Sequence, residues 1–209
     1  MNGEQLINLF KECVGDDNFD ETSAYIFLNT AKTKIELKRE WEFLKAVDES
    51  NSTTGNWTNE YTLPSDFLTP IVMDCLKVAD TQNITMVRPE KWRSYYKNSG
   101  YAKIDIANSK FYLSGTLQSG QRITLNYIKK TDTIDATTEV GWTLEDWHPL
   151  VAYEAAELYY IAEGVDPSSN MAFAWRSAKE AIYQSMIDYD TRLKLAYQNN
   201  YNEVQLNGL

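Results

Sequence analysis

The stretch RITLNYIKK, residues 122–130, decides the fold class. Ile123, Leu125 and Tyr127 alternate with Arg122, Thr124 and Asn126, the period of two by which a strand turns one face to a core and the other to water. Upstream, shorter runs of the same character lie at 110–114, 102–106, 84–87, 70–79 and 60–63. Ala107-Asn108-Ser109 and residues 117–120 have the composition of turns between them. The segment RPEKWRSYYKNSG (88–100) predicts one or two helical turns opening at Pro89, whose fixed φ suits a first helical position. The polar stretch DESNSTTGNWTNE, running from 48 to 60, has no period and reads as an exposed loop.

On either side the period changes to that of a helix. Leu6, Ile7, Phe10, Cys13 and Val14 predict a short amphipathic helix over 4–14. Asp20 or Thr22 then caps a long helix over 22–46, striped with Ala24, Phe27, Leu28, Ala31, Ile35, Trp41 and Leu44. A third helix spans 145–162, with Pro149 near its start and Gly164 past its end. A fourth opens at Ser168 or Ser169 and runs to about 199. Its seam of Met171, Trp175, Ala178, Ile182, Met186, Tyr189, Leu193 and Ala196 is heptad-like. A rod of about 45 Å is longer than a compact domain of this size needs, which points to a partner or an assembly. The expected fold is therefore α+β but mainly helical. Residues 1–47 and 141–199 form an antiparallel helix bundle, 48–140 form a small inserted antiparallel β lobe carrying the loop 48–60, and 200–209 form a flexible tail.

The chain has 209 residues, 43% hydrophobic and 24% charged, which suits one ordinary globular domain with an inserted lobe. No apolar run is long enough to span a bilayer, and the first residues lack a secretory pattern, so no membrane association is expected and assembly is expected in a cytoplasm. Cys13 and Cys75, far apart and outside any CxxC, read as reduced thiols. The net charge of −10 is unevenly spread: −5 over 1–50, +4 over 51–130 and −9 over 131–209. Such a chain repels nucleic acid, although an acidic wall suits a place where DNA must slide past. Aromatic residues are 13% of the chain, with 14 Tyr and 6 Trp, which suits either subunit interfaces or a tyrosine-rich core.

No constellation for catalysis stands out. One histidine, His148, cannot build a triad or a His-rich metal site. Asp16, Asn18 and Asp20 begin like a calcium loop, but Glu21 and Phe27 occupy the required Gly and Glu positions. Three N-glycosylation sequons, at Asn51, Asn56 and Asn83, read as chance in a chain without an export signal. The chain is expected not to be an enzyme and to hold no metal or cofactor. The basic-aromatic cluster of Arg88, Lys91, Trp92, Arg93, Tyr95, Tyr96 and Lys97 suits single-stranded nucleic acid or an acidic neighbouring subunit about equally.

Trp41-Glu-Phe-Leu44, a polar loop, and then Tyr61-Thr-Leu-Pro-Ser-Asp-Phe-Leu68 resemble the tailed-bacteriophage head–tail connector proteins, also called adaptor or head-completion proteins. Ile123–Tyr127 and the helices after Trp147 follow in matching order, so the resemblance spans most of 20–200. Within the motif, Pro64 holds Leu63 extended, Asp66 can bond its own turn, and Phe67 and Leu68 re-enter the core. The N-terminal helix and the loop 48–60 depart from the pattern. The resemblance implies a ring, typically of twelve copies, beneath the portal of a virion, extending the DNA channel and offering the tail a docking surface. It implies double-stranded DNA passing without specific binding, and it carries no catalytic residue. A regulatory protein–protein interaction scaffold without a DNA channel is the alternative; a cell-wall-degrading tail enzyme lacks a clustered acid–base motif.

Three expectations about surfaces follow. Glu154, Glu157, Glu163, Asp188 and Asp190 belong to the DNA-channel lining. Arg88, Lys91, Trp92, Arg93, Tyr95 and Tyr96 form a subunit interface, or meet a tail component. Tyr201, Val204, Leu206 and Leu209 anchor an unfolded tail that adds a strand to the portal.

Overall fold

A computed structural model describes the chain except at 56–57, 72–74, 80–81, 116, 165–172 and 207–209, with backbone alone at 58–59, 173–174 and 198–206. In chain order the elements are α1 (Gly3–Val14), α2 (Glu21–Leu37), β1 (Lys45–Ser52), β2 (Thr58–Thr62), β3 (Phe67–Pro70), β4 (Leu76–Val78), β5 (Gln82–Asn83) and β6 (Thr85–Met86). There follow α3 (Trp92–Tyr95), β7 (Tyr101–Asp105), β8 (Lys110–Ser114), β9 (Arg122–Lys129), α4 (Pro149–Ala162) and α5 (Phe173–Leu206). They fall into two compact units, Met1–Phe43 with Thr131–Leu209, and Leu44–Lys130.

The first unit is helical. A reciprocal capping box opens α1, with the Asn2 side chain accepting from the Gln5 amide and the Gln5 side chain accepting from the Asn2 amide, both at 3.0 Å. Gly15, at φ 72°, closes the helix in the left-handed conformation. Asp20 caps α2 through the Ser23 amide at 2.8 Å, and that bond holds its carboxyl below the usual carboxylate range. Phe10, Phe19, Phe27 and Tyr159 interlock with ring centroids 5.1–6.3 Å apart, joining α1, the following loop, α2 and α4. The backbone packs equally closely at Gly3, where a β-carbon would lie 1.8 Å from the Asp135 carbonyl oxygen.

Helix α2 does not reach residue 46. It stops at Leu37, and the chain folds back so that Trp41 is fully buried. The Trp41 indole N–H donates to the Ile35 carbonyl at 3.0 Å, an oxygen that also accepts from the Lys38 amide at 3.1 Å where the helix ends. The ring packs on Phe43 and, edge-on, on Tyr183 of α5. Local propensity in Lys38–Leu44 favours a helix; burial of one large ring outweighs it.

The second unit holds two sheets. One has the path β1-β9-β4-β5, with β3 also paired to β9; the other is β2-β8-β7-β6. Every pair is antiparallel except β6 with β7. Tyr61, Phe111 and Leu113 from one sheet share an apolar cluster with Leu76, Val78, Ile123, Leu125 and Tyr127 from the other. The expectation of a mainly helical bundle with a small insert is therefore corrected: the chain is α+β, 46% helix and 24% strand, with two sheets. The main cause lies in the supposed loop 48–60. Lys45–Ser52 is strand β1, paired with β9 along its length through a bulge between Asp48 and Asn51. Its exposed residues, Lys45, Val47, Glu49, Ser50 and Ser52, give a sheet edge a polar sequence.

In the Leu63-Pro-Ser-Asp-Phe segment, the Phe67 amide closes a turn on the Pro64 carbonyl at 3.0 Å. The Asp66 carboxylate reaches across to accept from the Tyr127 hydroxyl at 2.8 Å, instead of bonding its own turn. Phe67 stacks on the Tyr127 ring at 5.5 Å. Burial, and then the bond to Asp66, keep the Tyr127 phenol protonated far above its ordinary range.

Residues 200–206 are also corrected. They continue α5 as helix, so the segment is not an extended strand, and Leu209 lies outside the described residues. The expected start of that helix at Ser168 or Ser169, and Met171 of its seam, lie outside them too.

Candidate functional site

The charge partition follows the fold. The helical unit carries 9 basic and 22 acidic side chains, net −13, and the β unit carries 11 basic and 8 acidic, net +3.

Two of the five residues expected to line a channel are buried within the subunit. Glu154, on the inner face of α4, is 1% exposed, with Lys34 of α2 and Lys179 of α5 each 2.5 Å from one carboxylate oxygen. Burial pushes this carboxyl up, but the two ammonium groups outweigh it and hold the carboxyl below the usual range. Lys179 is raised overall: burial lowers it, and Glu154 and Glu157 more than compensate. Glu157, the third member, is partly exposed and pairs with Lys179 and with Arg176 at 3.7 Å. Asp190 is fully buried. Its oxygens meet Arg39 Nη2 at 3.0 Å, Lys194 Nζ at 2.9 Å and the Glu42 amide at 2.5 Å, while Lys194 also donates to the Glu40 carbonyl at 3.0 Å. Glu154 and Asp190 are thus withdrawn from the channel set, because each binds α5 to the rest of its own unit. Glu163 and Asp188 remain exposed.

Sequence reasoning missed Lys34, Lys179, Arg39 and Lys194 as the partners. A signal existed: Lys179 lies four residues after Trp175 and Asp190 four after Met186, so both fall on the seam of α5. A charge on a seam is a buried charge in need of a counter-ion.

The basic cluster divides by residue type. Trp92 and Tyr95 are half-buried. Trp92 lies against Tyr112 at 6.5 Å and Tyr95 against Tyr101 at 4.7 Å. Lys103 sits over both the Tyr112 ring, at 4.3 Å, and the Trp92 ring, at 6.0 Å. Arg88, Lys91, Arg93 and Tyr96 are exposed. Trp92 and Tyr95 are therefore occupied in fixing the segment to β7 and β8, which leaves a cationic surface with one exposed ring, Tyr96. Tyr201, Val204 and Leu206 fall on the last turns of α5.

His148 is buried ahead of α4, with Nδ1 2.7 Å from the Met1 ammonium nitrogen. Burial, then that positive charge, lower its pKa, so it accepts as neutral imidazole. Cys13 is half-buried and its thiol is pushed up to about 12 by burial and then by Glu12; Cys75 is buried, and neither is bridged. Among the described residues, no helix is long and apolar enough to cross a membrane.

No curated protein matches the chain. The family model described as SU10 adaptor protein matches residues 1–201 and so takes in both units, and the chain belongs to the SU10 adaptor protein family.

Proposed function

We propose that this phage structural adaptor is one subunit of a ring, of twelve copies, seated beneath the portal at the head–tail junction of the virion. The ring extends the DNA channel and offers the tail its docking surface, having assembled in the host cytoplasm. The observation that carries the reading is the family match across residues 1–201. Its charge supports it: a unit of net −13 has no excess of cations to release counter-ions from DNA, so a duplex passes without adhering. Glu163 and Asp188, with the partly exposed Glu157, are the channel-facing candidates that remain. The cationic surface of Arg88, Lys91 and Arg93 faces a neighbouring subunit or a tail protein, and Tyr201, Val204, Leu206 and Leu209 anchor the portal contact. With 200–206 helical, that contact takes the form of a helix laid in a groove rather than an added strand.

The test is attachment to purified portal rings of the same phage, read by pull-down and negative-stain microscopy. The intact chain is expected to decorate portals as a closed ring. Deletion of 200–209 is expected to abolish decoration and leave the thermal midpoint of the subunit unchanged. Portals left bare by the intact chain overturn the reading; normal decoration by the truncated chain overturns the role of the tail.

A further inference from the structure

Helix α2 has an outer face unlike the rest of its unit. Thr22, Ile26, Thr30, Thr33 and Leu37 are exposed at spacings of four, four, three and four, one stripe along the whole helix. No acidic residue interrupts it, in a unit of net −13. Ile26 is 62% exposed and Leu37 52% exposed. The threonines between them are less polar than their names suggest. Thr30 Oγ1 donates to the Ile26 carbonyl at 2.7 Å and Thr33 Oγ1 to the Asn29 carbonyl at 2.9 Å, so their hydroxyls are turned onto the helix and their methyl groups are left to face outward. Shallow grooves of about 530 and 710 Å³ flank the stripe and share Asn29 and Thr30. Lys34 and Lys38 edge its C-terminal half.

The same unit carries a surface of the opposite kind on α5. A groove of about 400 Å³ is lined by the small residues Ala181 and Ser185, by Leu144, which is 39% exposed, and by Gln184, Tyr189 and Arg192. Exposed acids surround it: Asp188 in the groove lining, Glu180 beside Ala181, and Glu145 and Asp146 next to Leu144. Exposed apolar side chains with Lys38 at one end, Lys34 being paired with Glu154, thus face a groove where four carboxylates outnumber one cation, Arg192. Ridges of one helix seat in the grooves of another in this way, and charge complementarity sets which surfaces meet.

We infer that the α2 stripe of one copy docks on the Ala181–Ser185 groove of α5 in a second copy, with Ile26 and Leu37 as the apolar anchors. The two surfaces are different, so the contact is heterologous: each copy keeps one face free and the pairing repeats, giving a ring if the rotation closes. Elsewhere two units of net −13 repel, which leaves the charge-poor stripe as the surface on which they approach. This pairing rests on the reading of the chain as an assembling adaptor, names the face by which copies meet, and moves Asp188 from the channel-facing candidates to the contact, leaving Glu163 and Glu157 for the channel.

Site-directed cross-linking tests it. In a Cys13→Ser background, Leu37→Cys and Ser185→Cys chains are treated with a short bismaleimide, separately, mixed, and combined in one chain, with and without portal rings. Each single variant is expected to stay uncross-linked, the mixture to give a dimer only, and the doubly substituted chain to give a ladder. Adding Ile26→Glu should cut the cross-linked yield about tenfold, the effect of a 1.4 kcal/mol loss. A Leu37→Cys chain that links to itself shows a two-fold α2 contact and overturns the proposal. So does the absence of links under both conditions from chains whose unfolding midpoints match the parent. Should links be absent while portals are still decorated, only the contact fails and the adaptor reading stands.

Discussion

Replacing Asp190 separates two accounts of the acidic residues on α5. If Asp190 faced a DNA channel, Asp190→Ala would leave folding untouched. The structure demands the opposite. The carboxylate is fully buried between Arg39 at 3.0 Å and Lys194 at 2.9 Å, and it accepts from the Glu42 amide. Each charge contact near 3 Å is worth about 5 kcal/mol at an effective dielectric constant of 20, most of it offset by desolvation. Removing one partner of a fully buried pair costs about 3–5 kcal/mol. Here the cations keep 29% and 33% of their side-chain exposure and regain water, which brings the ionic loss to about 2 kcal/mol. The orphaned Glu42 amide adds about 1 kcal/mol. Asp190→Ala should therefore lose about 3 kcal/mol in urea titration, and about 6–12 °C of midpoint temperature for a chain of this size. Asp190→Asn retains an acceptor for the Glu42 amide and should lose less, about 2 kcal/mol. A double-mutant cycle with Lys194→Ala should be strongly non-additive. A loss below about 0.5 kcal/mol for Asp190→Ala would refute the clamp, and equal losses for the alanine and asparagine variants would refute the share given to the Glu42 amide.

Two other perturbations test different parts of the fold. Glu154 is held below the usual carboxylate range, so its stabilisation is fully present above the unfolded value and is lost as pH falls through the folded one. Glu154→Gln should accordingly be about 2–4 kcal/mol less stable than the parent at neutral pH, with the gap narrowing as pH falls below about 4; a gap independent of pH sinks the argument. At Gly115, φ is +83° and a β-carbon would lie 2.3 Å from Ser99 Cα. Gly115→Ala should lower the urea midpoint by the equivalent of about 2–4 kcal/mol, and an unchanged midpoint would show that the β7–β8 region yields easily.

How far the sequence could be read varied with the kind of force involved. Periodic burial was legible. Leu6, Ile7 and Phe10 of α1 and Ile123, Leu125 and Tyr127 of β9 are buried as their spacing requires, but the outward half of the β9 alternation is not kept, since Thr124 and Ile128 are buried too. Strand β1 was not legible. Lys-Ala-Val-Asp-Glu-Ser-Asn-Ser has neither apolar alternation nor β-branched enrichment, and it becomes a strand because β9 presents an unpaired row of backbone groups. The end of α2 was hidden for a related reason. No Gly or Pro marks Lys38–Trp41, and the break is made by the distant Tyr183 and Asp190.

The acidic residues show where the division falls. Total charge, its concentration in the terminal segments and the connector-like motif around Leu63–Leu68 are properties of composition and local order, and the sequence alone determined them. Which carboxylates meet water depends on which side chains arrive opposite them. Glu154 meets Lys34 and Lys179 from helices 120 and 25 residues away in the chain, whereas Glu163 meets none of these and stays exposed. A charge's worth is set by its local dielectric and by its counter-ions at 2.5–3 Å, and only the tertiary structure decides either.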